Sequence, residues 1–133
     1  MAIFGNLFLR FSKQIETSDR QSDDQLKTHY FKASFNQLFQ SVEQLFRQDA
    51  DCRITTISKE HGEIAIEVNK PFPCFLIVTI VSTKPMETAV DFILSTEKFS
   101  VTGVYPSLKM RILSYYDKLK KVHTFVGTAK NHS

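Results

Sequence analysis

The chain changes its hydrophobic period several times, and each change marks an element. Between residues 35 and 46, Phe35, Leu38, Phe39, Val42, Leu45 and Phe46 recur three or four apart, while Asn36, Gln40, Glu43, Gln44 and Arg47 fill the other side. That spacing lays one apolar stripe along a helix. Ser34 suits its N-cap, Gln37 completes a capping box, and the helix is expected to stop near Asp49. Behind Pro106, which suits a first helical turn, Leu108, Ile112, Tyr115, Leu119 and Val122 line one side of a second helix. Residues 1–15 repeat the helical spacing with Phe4, Leu7, Phe8, Phe11 and Ile15 opposite Asn6, Arg10, Lys13 and Gln14, which predicts a short amphipathic helix.

Elsewhere the period is two or absent. His29 to Ala33 is a short strand candidate, and Arg53 to Lys59 is rich in β-branched residues. After the turn signal His61-Gly62, Ile64, Ile66 and Val68 alternate with Glu63, Ala65 and Glu67, the pattern of a strand buried on one side. Pro71 and Pro73 bracket a turn. Phe75 to Val81 is apolar at both parities, as in a central strand covered on both faces. A turn at Lys84-Pro85 leads to Val90, Phe92 and Leu94, which alternate with Ala89, Asp91, Ile93 and Ser95. Residues 16–27 are polar without a period and predict a linker; residues 98–104 predict a loop.

The order is strand, helix, four strands, helix, and short turns pair consecutive strands antiparallel. The expected fold is α+β: a two-layer sandwich, with an antiparallel five-stranded sheet and two helices on one face. Residues 1–27 would be an N-terminal amphipathic segment and polar linker, 28–127 a single α+β domain, and 128–133 a flexible tail. With the even positions facing the helices, the other face presents Glu63, Ala65, Glu67, Ala89, Asp91, Ile93 and Ser95, with Phe75, Ile77, Thr79 and Val81 at its centre. Such a mixed surface with an apolar middle calls for a cover or a partner: the N-terminal segment, another copy of the chain, or a ligand.

The element order is similar to one half of the TATA-binding-protein fold, a curved antiparallel sheet backed by two helices; architecture alone carries no function. Three stretches, Leu26-Lys27-Thr28-His29-Tyr30-Phe31-Lys32, Glu60-His61-Gly62-Glu63-Ile64 and Thr88-Ala89-Val90-Asp91-Phe92, resemble small uncharacterised cytosolic proteins of Gram-positive, spore-forming bacteria. That resemblance covers about residues 26–115. It implies a cytosolic α+β fold and no particular substrate.

Composition narrows the class. The chain has 133 residues, 42% of them apolar and 23% charged, as expected of one globular domain. Its two cysteines, Cys52 and Cys74, are too few for a disulfide framework and sit at no zinc-binding spacing. They fit a reducing compartment, so a cytoplasmic location is expected. The first ten residues lack the basic-apolar-small order of a signal peptide, and the Phe75–Val81 run is far short of a transmembrane segment, which needs ~20 residues. The net charge of +3 is uneven: residues 105–133 hold six Lys and Arg against Asp117 alone.

No catalytic motif, cofactor cradle or metal spacing is expected; the four glycines are scattered. The first functional reading is a non-enzymatic interaction domain, self-associating as a homo-oligomer or binding another protein. Its candidate surface is Phe4, Leu7, Phe8, Phe11, Phe75, Ile77 and Ile93. The second is a nucleic-acid module using Lys109, Arg111, Lys118, Lys120 and Lys121 as an anion-binding set; cations near a helix C-terminus also suit the helix dipole without any ligand. The third is a small ligand-binding protein or enzyme using the helix–sheet cleft, with His29, Glu63, Glu67 or Asp91.

Overall fold

The computed structural model describes residues 13–97 and 105–128. Helix α1 runs Phe35–Arg47, and its start is closed as the sequence implies. Gln37 N–H donates to Ser34 Oγ at 3.2 Å, and Ser34 N–H donates to Gln37 Oε1 at 3.0 Å, so two of the free donors at the helix start are satisfied reciprocally. Leu38, Phe39, Val42 and Phe46 bury the apolar stripe. Helix α2 runs Tyr105–Lys120 and buries Leu108, Ile112, Tyr115, Tyr116 and Leu119.

Among the described residues, seven strands form one antiparallel sheet: β1 Lys13–Glu16, β2 His29–Lys32, β3 Cys52–Ser58, β4 Glu63–Val68, β5 Cys74–Lys84, β6 Glu87–Thr96 and β7 Thr124–Thr128. The order is β3-β4-β5-β6-β2-β7, with β1 also on β6. β1 and β2 thus share one edge of β6, β1 pairing Ile93 to Thr96 and β2 pairing Thr88 to Val90. The even positions Ile64, Ile66, Val68, Leu76, Val78, Ile80, Val90, Phe92 and Leu94 join both helices in a single core. Both helices therefore lie on one side of the sheet, as the alternation implied.

Gly62 sets the β4–β5 contact. Its φ is +68°, and a Cβ there would stand 2.3 Å from the Ile80 carbonyl oxygen, so no side chain fits. Ile80 N–H donates to the Gly62 carbonyl at 2.7 Å.

The sheet has seven strands where five were expected, because β1 and β7 escape a reading based on period. The four residues of β1 fall where helical spacing was expected, and the five of β7 show no alternation that sets them apart from the stretch after the second helix. Ile15, expected on a helix, is a buried strand residue in the core; residues 1–12 of that expected helix lie outside the described residues. The stretch 16–27, expected as a linker, is folded: Asp24–Leu26 forms a 3₁₀ turn, and Thr17, Leu26 and Thr28 are buried. Val122, expected on the second helix, lies past its end and is exposed. Among the described residues no helix is long and apolar enough to cross a membrane.

The face away from the helices also differs from expectation. Its centre is shut: Ala65 and Ile77 are buried against each other, with Phe75 beside them. Phe75 and Ile93 are half-buried. Of the expected interaction surface, Ile77 thus offers nothing to a partner, and Phe4, Leu7, Phe8 and Phe11 lie outside the described residues.

Candidate functional site

The most distinctive chemistry sits where β1 ends and β2 begins along β6. The backbone ladder is interrupted there, and threonine side chains replace it. Thr17 N–H donates to the Phe92 carbonyl at 2.9 Å, and Phe92 N–H donates to Thr17 Oγ1 at 2.9 Å. The Thr17 and Thr28 hydroxyls both donate to Asp91 Oδ1, each at 2.7 Å. Asp91 therefore clips both ends of the 17–28 loop to the sheet. Burial pushes its carboxyl pKa up, and the two hydroxyls pull it part of the way back. From α2, the Tyr116 hydroxyl donates to the Val90 carbonyl at 2.7 Å and lies 3.1 Å from Thr17 Oγ1. Full burial holds the Tyr116 phenol well above its ordinary pKa.

His29 stacks on Tyr116, with ring centroids 3.6 Å apart and planes within 7° of parallel, and Phe125 of β7 stands 4.9 Å away. His29 Nδ1 lies 2.7 Å from the Lys27 carbonyl. A carbonyl only accepts, so Nδ1 carries the hydrogen and the neutral ring keeps its lone pair on Nε2. Burial lowers the His29 pKa to about 4. With Asp24, Gln25, Leu113, Asp117, Lys120 and Thr128, these rings line a cleft of about 300 Å³. That is the lower end of the ~300–1,000 Å³ typical of small-molecule sites. An imidazole so hard to protonate is a weak general base near neutral pH; its stacking and its bond to Lys27 mark it first as an anchor between β2 and α2.

The other groups singled out from the sequence do not converge. Glu63 and Asp91 face Thr79 from opposite sides in the register, a full strand apart. Glu63 is buried, which raises its pKa, and Glu67 pairs with Arg53 at 2.5 Å. Among the described residues, no cluster of three or more His, Cys, Asp or Glu side chains could hold a metal. Burial pushes the Cys52 thiol up to about 12 and raises Cys74 as well, so both keep their protons at neutral pH.

The basic side chains of α2 divide among three places. Lys109 pairs with Asp23 at 2.6 Å. Arg111 donates to the Tyr115 hydroxyl at 3.3 Å and to the Lys70 carbonyl; with Lys118 and Lys121 it lines a groove of about 750 Å³ between the helices, whose other wall carries Asp49 and Asp51. Lys120 turns to the His29 cleft, 4.5 Å from the Phe125 ring centroid. The expected anion-binding set is thus not one patch.

Two features had no signal in the sequence. Ser41 Oγ and His123 Nε2 meet at 2.7 Å across 82 residues. Ser41 sits mid-helix, where the neighbouring N–H groups are already bonded and none can hold an oxyanion. The second is the outer edge of β7. Phe125 is 36% and Val126 41% exposed, and the strand Thr-Phe-Val-Gly-Thr carries no charge. The opposite edge, β3, is guarded by a register shift between Ile54 and Thr56 and by Arg53. Among the described residues no strand pairs with the outer side of β7. Comparison of this chain with protein-family models, curated proteins and solved structures finds no match.

Proposed function

We propose that the chain is a non-enzymatic interaction domain that associates with a second copy of itself along the outer edge of β7. The observation that carries this reading is an edge strand with exposed Phe125 and Val126 that lacks the charge carried by β3, although its pairing with β2, like that of β3 with β4, shifts register, here at Val126. A second copy suits it. The strand Thr124–Thr128 carries no charged side chain, so an antiparallel pairing with its own copy opposes no like charges. A five-residue edge buries less than the ~1,200 Å² of a stable interface, so the dimer is weak and reversible. The two free thiols and their raised pKa values suit a reducing setting, and we place this activity in the cytoplasm. Nucleic acid is the less supported partner, because Lys109 and Arg111 are engaged within the chain.

Sedimentation over a concentration series tests this, comparing the wild type with Val126→Lys. A wild type that dimerises at high micromolar concentration, and a variant that stays monomeric with unchanged thermal unfolding, is the expected result. A wild type that is strictly monomeric, or a dimer indifferent to the lysine, overturns it.

A further inference from the structure

The His29 ring has one polar atom to spare. Its Nδ1 hydrogen goes to the Lys27 carbonyl, and one of its faces lies flat on Tyr116. His29 is only 4% exposed, yet its Nε2 accepts no hydrogen bond from any described residue. A buried acceptor without a donor is costly, so an atom in that position calls for a donor from outside the chain. The two ring nitrogens point apart. With Nδ1 turned back to Lys27, the Nε2 edge faces the cleft that His29 lines between the 3₁₀ turn, α2 and β7. The two charged side chains that act on the ring, Lys120 and Asp117, both belong to the walls of that cleft.

We propose that this cleft binds a small, neutral, planar nitrogen heterocycle, of the kind a free nucleobase represents, which donates an N–H to His29 Nε2. Size restricts the ligand to one or two rings, because the cleft holds about 300 Å³. A flat shape suits the apolar flank formed by Leu113 and by Phe125, which is 36% exposed. The charges suit a neutral molecule. Asp117 makes no ion pair or hydrogen bond with a described residue, and Lys120 lies over the Phe125 ring, so one acceptor and one cation stand in the same walls and balance. Asp24, the other acidic side chain there, is answered by Lys27 at 3.5 Å. A heterocycle with both N–H donors and ring-nitrogen acceptors can serve Nε2, Asp117 and Lys120 together. An anion such as phosphate or a carboxylate would bring only lone pairs to Nε2 and would face Asp117. A hydrocarbon would leave Nε2 without a donor. Pairing along the outer edge of β7 uses backbone groups, so the site stands apart from it.

An NMR titration of the full chain, labelled with heavy nitrogen and kept at concentrations where sedimentation shows a monomer, reads the imidazole nitrogens directly. Adenine should bind in the millimolar range or tighter and move the Nε2 resonance upfield, as a new hydrogen bond to a lone pair does, while Nδ1 stays in place. Caffeine, a bicyclic relative with every N–H methylated, should bind at least about tenfold more weakly. His29→Phe keeps a flat ring against Tyr116 but removes the acceptor, and should lose adenine binding. Because that variant also loses the Lys27 bond, Asp117→Ala at an exposed position serves as the second: it should weaken adenine several-fold with unchanged thermal unfolding. An Nε2 resonance that does not move at the solubility limit of adenine overturns the proposal. So does equal affinity for caffeine, or full binding by Asp117→Ala. Adenosine monophosphate is the last probe; tighter binding of it than of adenine would mean that the phosphate is recognised and not the ring, and would overturn the proposal as well.

Discussion

His29 and Tyr116 lie face to face, their ring centroids 3.6 Å apart, so a buried neutral imidazole joins β2 to α2. The ring's pKa falls from 6.5 to about 4 on folding because burial disfavours its charged form. Between those two values the unfolded chain binds the proton and the folded chain does not. Stability from this residue is therefore complete above pH 6.5 and is lost as pH falls toward 4, by about 3 kcal/mol. The advantage of the wild type over His29→Asn in urea unfolding should shrink by about that amount between pH 7 and 4. Taking the difference removes the opposing contribution of Asp91, whose raised pKa favours folding at low pH. A constant difference across that range would show that the ring titrates in the folded chain as it does in water.

Thr17 does more than Thr28 at the clipped end of the loop. Its oxygen accepts from Phe92 N–H and its hydrogen goes to Asp91, whereas Thr28 makes the Asp91 bond alone among the bonds described. Thr17→Val strands a buried backbone donor and should cost about 2–4 kcal/mol, against about 1 kcal/mol for Thr28→Val, measured by denaturant unfolding. Equal losses would place the anchoring in Asp91 and not in the replaced ladder.

Gly62→Ala should cost about 2–4 kcal/mol, because it adds left-handed strain to a clash in which the new Cβ stands 2.3 Å from the Ile80 carbonyl oxygen. Relief of the overlap has to come from separating β4 and β5. Amide exchange at Ile80 should therefore accelerate in the variant more than exchange in α1 does, and a uniform change would count against this local account.

Cys52 should be nearly inert in the folded chain. With its pKa near 12 the thiolate fraction at pH 8 is minute, and alkylation by iodoacetamide should run about a thousandfold slower than in the urea-unfolded chain. Mass spectrometry of the two reactions reads the ratio directly. Comparable rates would mean that the thiol is far less buried than its position beside α1 implies.

Much of the architecture could be read from local pattern. The capping box at Ser34 and Gln37, the one-sided stripe of α1, and the even-numbered core positions of β4 and β6 are all consequences of period and short-range chemistry. The assumption that the odd face stays open did not carry over, since period says which side a residue points to and nothing about what lies above it. The candidate site was scarcely legible. His29 and Asp91 stood out as residue types, but Thr17 and Thr28 reach Asp91 from 74 and 63 positions away, and Tyr116 reaches His29 from the other end of the fold.

By itself the sequence determined which segments are helix or long strand and which parity faces the core, because those depend on neighbours one to four residues apart. Tertiary structure decided that Lys13–Glu16 and Thr124–Thr128 are strands, that α2 scatters its cations among three sites, and that His29 is neutral. Each of those depends on desolvation and pairing by distant partners, and a four- or five-residue segment adopts its strand only when a neighbouring edge supplies the hydrogen bonds.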